Sequence, residues 1–154
     1  AFWRSYHIKI REELERIREQ HSVALLYEAH SIRSRVPRFF EGVLPDFNLG
    51  TADGKSCSPA LESKLAEALK QASGFTSVVN GRFKGGYITR KYGSPEENIH
   101  AVQLELSQAT YMDEEYPFTY RDELATKVQP SLKALLNNML EWTEEQSGVP
   151  SPES

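Results

Sequence analysis

Two apolar stretches each deliver a proton-handling side chain near their C-terminal end. In VALLYEAHS, residues 23–31, it is His30; in HAVQLELSQ, residues 100–108, it is Glu105. An imidazole fixed at a strand end suits a metal ligand such as one of zinc's, and a carboxylate in a cleft suits a general base or acid. Gln103 and Glu105 interrupt what a strand covered on both sides would show, and they do so toward the end where open α/β sheets place their ligand crevices. An edge strand with one wet face and a hydrogen-bonded structural histidine would leave the same pattern, so both readings stand. His100, at the mouth of the second stretch, is expected to support the site from behind, with Gln103 beside it. His7 and His21 read as plain surface residues. With only His30 well placed, three metal ligands are not visible, so either the site is not metallic or the others lie upstream of Ala1.

A second constellation is cationic. NGRFKGGYITRKYG, residues 80–93, sets Arg82, Lys84, Arg90 and Lys91 among four glycines. It lacks the spacing of a phosphate loop and is not expected to open a helix. Guanidinium groups match carboxylates with two parallel donors, so Arg82 and Arg90 point to a carboxylate ligand, with the Tyr87 hydroxyl as helper. SIRSRVPRFFEG, residues 31–42, adds Arg33, Arg35 and Arg38 directly after His30. A basic hairpin on an acidic surface is the plain alternative.

The bulk numbers restrict the partners. The chain has 154 residues, 22 Asp plus Glu against 18 Lys plus Arg, and a net charge of −4. An acidic protein is a poor candidate for a nucleic-acid or anionic-membrane surface, so the basic stretch is read as a site for something small. No apolar run approaches the roughly 20 residues that span a bilayer. The single cysteine, Cys57, rules out an internal disulfide and suits a reducing, cytoplasmic setting. The chain opens AFWRSYH with a helical pattern already running, which reads as a cropped start.

The elements that must position these residues follow from periodicity. Tyr6, Ile10, Leu14 and Ile17 predict a helix over about residues 2–20. A strand over 23–28, a long loop over 31–57, and a helix opening at Ser58-Pro59 with Leu61, Leu65, Ala68 and Leu69 inside come next. Short strands are expected at 76–80 and 86–89, and the clearest strand at 99–106. A last helix over about 120–145 would bury Leu124, Val128, Leu132, Leu135, Leu136 and Met139, with Pro130 kinking or splitting it. Residues 1–146 read as one domain and 147–154 as a disordered tail. The order predicts a three-layer αβα sandwich with a mixed sheet.

The stretches AHSIRSRVPRFFEGVLPDFNLGTADGKSC, NGRFKGGYITRKYG and HAVQLELSQATYM resemble the N-formylglutamate amidohydrolase family, and the likeness runs from the FWRSYH helix to QPSLKALL. The resemblance implies a zinc-carboxypeptidase-like (phosphorylase/hydrolase-like) α/β fold, here incomplete at the N-terminus. It also implies hydrolysis of N-formyl-L-glutamate to L-glutamate and formate with a divalent metal, zinc first among candidates, as the last step of a histidine degradation route. In that reading His30 is a metal ligand and Glu105 the catalytic carboxylate. Arg38, Arg82, Tyr87 and Arg90 hold the substrate. The remaining ligands lie in an upstream half, so the chain alone is expected to be inactive. Two positions depart from the family pattern: Glu28 stands where Asp is usual before Ala-His-Ser, and Lys91 where His is usual. The rival readings are a deacylase of another N-acyl acidic amino acid, and a non-catalytic module that binds dicarboxylates.

Overall fold

The computed structural model describes residues 2–147. Its elements are α1 (Phe2–His21), β1 (Ala24–Ile32), β2 (Phe47–Gly50), α2 (Pro59–Lys70), β3 (Ser77–Val79), α3 (Tyr87–Tyr92), β4 (Ile99–Ser107) and α4 (Asp122–Ser147). The sheet order is β1-β4-β2-β3, with β1 parallel to β4, β2 antiparallel to β4 and β2 parallel to β3. The sheet is therefore mixed, and helices flank it on both sides. The three-layer α/β architecture expected from the sequence is what the chain adopts.

Strand parity decides what each side of the sheet becomes. On β4, Val102, Leu104 and Leu106 face a core built with Phe47 and Leu49 from β2, Leu61, Leu65 and Leu69 from α2, and Val128, Leu135, Met139 and Trp142 from α4. Each fully buried leucine there contributes roughly 1.5–3 kcal/mol. The other side carries a smaller cluster in which Leu14 of α1, Ala24, Tyr92 of α3 and Ile99 pack together. That cluster sits at the beginning of β1 and β4 and leaves their C-terminal ends uncovered by it.

Several expectations need correction. β1 does not stop before His30; it runs on to Ile32. β2 lies inside the stretch read as loop. Residues 86–89 are not a strand: Gly86 caps α3, a six-residue helix, so the glycine-rich stretch does open a helix. Pro130 does not split α4 into two elements. The prolyl ring sits on the exposed side, and apolar residues before it (Ala125, Val128) and after it (Leu135, Met139, Trp142) seat both halves on one core, which outweighs one lost hydrogen bond. Leu136 is exposed rather than inside, and Leu124 and Leu132 are half-buried. On α1 only Leu14 is buried, while Phe2, Trp3 and Tyr6 are exposed. Ser147 belongs to α4, and the rest of the expected tail lies outside the described residues.

Candidate functional site

His30 and Glu105 are register partners on the parallel pair β1 and β4, with Glu28 opposite Gln103 two residues earlier. In-register residues on adjacent strands share a face and lie about 5 Å apart, so the imidazole and the carboxylate project side by side. Both stand near the C-terminal ends of their strands. Glu105 is buried and Gln103 likewise, whereas the His30 side chain is half-exposed. Burial pushes the Glu105 carboxyl up from its ordinary value, and the His30 imidazole pulls it in the other direction. Glu105 makes no side-chain hydrogen bond among the described residues. A desolvated carboxylate of raised basicity beside an imidazole is suited to take and return a proton.

The basic stretch reaches this face through backbone contacts. The Gly86 amide donates to Gln103 Oε1 at 2.6 Å. Residues 84 and 85 cross directly over Gly50, where a Cβ would meet the Gly85 nitrogen at 2.5 Å and the Lys84 carbonyl carbon at 2.6 Å. Only glycine permits that approach. Gly50 pairs with Gln103 in the register, so the crossing point lies next to Glu105 on the same face. Asn80 anchors the root of the loop: its Oδ1 accepts from the Thr51 amide at 2.9 Å, and its Nδ2 donates to Thr51 Oγ1 at 2.7 Å and Glu62 Oε2 at 3.1 Å.

The arginines fall into distinct settings. Arg82 donates through Nε to the Phe39 carbonyl at 2.6 Å, which staples the basic stretch to the loop carrying Arg38. Its two Nη groups make no hydrogen bond among the described residues and remain available as a fork. Arg38 lies over the Phe39 ring at 5.8 Å and is otherwise exposed. Arg90 folds back to donate to the Gly85 carbonyl, and Lys84 pairs with Asp53 at 3.0 Å. Arg33 pairs with Glu115 at 2.6 Å.

Three placements correct the sequence reading. His100 is on the opposite face: its ring packs edge-on against Trp142, and its Nδ1 accepts from the Ser58 amide at the start of α2. Burial lowers its pKa, which keeps it neutral as that acceptor. It does not back the site. Tyr87 stands at the start of α3 among Trp3, His7 and the α1 aromatics rather than beside Arg82. His7 is no plain surface residue either, since its Nδ1 pairs with the Tyr92 hydroxyl at 2.7 Å. The Ser31 hydroxyl, next to His30 in the chain, bonds to the Tyr111 hydroxyl at 2.8 Å. The residue that does touch His30 is Glu28. Its place two residues earlier, on the same side of a strand, was visible in the sequence. Cys57 is a buried core thiol whose pKa is pushed up to about 12 by desolvation and the nearby Glu62 carboxylate, so it is no ligand candidate.

These features define an α/β protein with an acid–imidazole pair near the C-terminal ends of two parallel strands and an arginine-bearing loop packed on the same face. A family model for N-formylglutamate amidohydrolase matches residues 1–112, and the chain belongs to that family. It is 56% identical over 144 residues to the N-formylglutamate deformylase of Pseudomonas putida, covering 94% of this chain and 54% of that protein. The protein of the same name from Pseudomonas aeruginosa is 54% identical with the same coverage. The crystal structure of N-formylglutamate amidohydrolase from Ralstonia eutropha JMP134 superposes with a TM-score of 0.77 at 24% identity, over 94% of this chain and 52% of that one. The chain thus spans about half the length of the curated relatives it matches. No helix among the described residues is long and apolar enough to cross a membrane.

Proposed function

We propose that the chain carries the imidazole–carboxylate half of a site that hydrolyses N-formyl-L-glutamate to L-glutamate and formate, the closing reaction of histidine breakdown. The observation behind this reading is the side-by-side placement of His30 and Glu105 on one face of the sheet. The names of the relatives supply the substrate.

Among the described residues no group of three His, Cys, Asp or Glu side chains converges to hold a metal ion. His30 fits as one ligand: it is half-exposed at a strand tip, with a carboxylate on one ring nitrogen and, among the described residues, no hydrogen bond on the other. Donors from outside this chain would complete the three that a catalytic zinc needs. A divalent ion so held supplies Lewis acidity to the formyl group and the attacking water. Glu105 takes the proton of that water as its oxygen adds to the formyl carbon. It then hands the proton to the amine nitrogen as the C–N bond breaks, releasing formate and glutamate. The free fork of Arg82, with Arg38 and Arg90 on the linked segments, holds the carboxylates of the glutamyl part. Gln103 holds the loop in place.

The test is a chimera that completes this chain with the part of the Pseudomonas putida relative that it does not span. It should turn over N-formyl-L-glutamate, lose activity to chelators and regain it with zinc. Preference for N-acetyl-L-aspartate would reassign the substrate. Glutamate binding with no hydrolysis and no metal dependence would replace the reading with a binding module.

A further inference from the structure

The two ring nitrogens of His30 have different surroundings. Nε2 lies 3.3 Å from Glu28 Oε1, while Nδ1 makes no hydrogen bond among the described residues. Glu28 is itself held fast. Its Oε2 accepts from the Thr89 amide at 2.9 Å and from the Thr89 hydroxyl at 2.6 Å. Thr89 is fully buried in α3, and the Glu28 side chain is 12% exposed against 49% for His30. A surface ion pair would leave both partners mobile and would be worth little. Here one partner is held by the amide and hydroxyl of a buried threonine, and an ionised carboxylate has only acceptors to offer. The nitrogen facing it must therefore carry the proton.

We propose that Glu28 is a positioning residue that holds His30 in the Nε2–H tautomer and reserves Nδ1 as the donor to the metal. The Nδ1 part of this proposal rests on the metal-site reading above. The same α3 begins at Gly86, whose amide sits on Gln103 Oε1. Imidazole and basic loop thus share one mount: displacing α3 moves the carboxylate that orients the ring. Glu28 achieves this because it lies two residues before His30 on one strand face, about 7 Å away along the chain, within reach of both His30 and Thr89.

The experiment is nitrogen NMR, at a pH of about 8.5 where imidazoles are neutral, of the chimera that completes this chain with the missing part of the Pseudomonas putida relative, labelled at histidine, first without metal and then titrated with zinc. The wild-type chain should show His30 predominantly as the Nε2–H form. Glu28→Leu should lower the ratio of that form to its alternative several-fold. It should also weaken zinc, followed on the Nδ1 resonance, by about 10–100-fold. Glu28→Asp, which keeps the charge with one methylene fewer, should restore most of both, and it serves as the readout if the leucine variant fails to fold. A wild-type chain with His30 mainly in the Nδ1–H form overturns the proposal, as does a variant series that leaves ratio and zinc affinity unchanged. If the ratio responds as expected while zinc shifts no His30 resonance even in the wild type, the metal-site reading fails, and the role of Nδ1 with it.

Discussion

The two faces of β4 are made from one nine-residue strand, yet they do opposite work. Val102, Leu104 and Leu106 look into a core roofed by α2 and α4, and the one polar member of that side, His100, has its ring against Trp142 and its Nδ1 on a helix amide. On the reverse, Glu105 is desolvated without a hydrogen-bonding partner among the described residues, beside a half-exposed imidazole. A polar group that has been given a partner stabilises a fold. One left without a partner in a low-dielectric setting is held ready for a ligand or a proton. His100 and His30 show the same contrast on adjacent strands.

If that contrast is right, substitutions on the two faces should separate catalysis from stability. Glu105→Gln in the completed chimera should lower kcat by about 10²–10⁴-fold. It should leave the urea midpoint unchanged or higher, since a desolvated charge is removed; unaltered turnover would strike Glu105 from the mechanism. Its neighbour Leu104→Ala should do the reverse. It costs about 3 kcal/mol of unfolding free energy, measured by denaturant titration, with turnover per folded molecule retained. His100→Ala should cost about 2 kcal/mol through the lost acceptor and ring packing, and should also change the pH dependence of stability. Because burial lowers the folded-state pKa of His100, its contribution is fully present above the ordinary value of 6.5 and is lost as pH falls below it. The variant should lack that part of the slope, and His100→Asn, which restores an acceptor, should recover part of the stability. Arg82→Ala should have the smallest effect, raising KM about tenfold with kcat nearly constant, in line with roughly 1.5 kcal/mol for a charge-assisted hydrogen bond. A normal KM would take Arg82 out of the carboxylate pocket.

The sequence revealed the long elements and the two reactive side chains because local periodicity carries both. Leu61, Leu65 and Leu69 mark α2, and the apolar run before His30 marks β1. What it hid was set by distant partners. FNLG, lying between Pro45 and the Gly50 crossing, becomes β2 because β4 and β3 offer it ladders on both sides. YIT in residues 87–89 is β-prone by composition, yet it turns helical where Glu28 takes the Thr89 amide. The place of His100 is legible in the sequence: it shares parity with Val102, Leu104 and Leu106, so the rule that puts Glu105 on one face puts His100 on the other.

β1 has one consequence for anyone handling the protein. Among the described residues it is hydrogen-bonded along one flank only, by β4, and α1, packed beside it, carries the exposed rings of Phe2, Trp3 and Tyr6. A nine-residue ribbon of unclaimed amides and carbonyls next to sticky rings is a template for other copies in a concentrated solution. Self-association should therefore rise with concentration at temperatures well below the melting of its core. A lysine placed at an outward position of that ribbon should be the cheapest remedy.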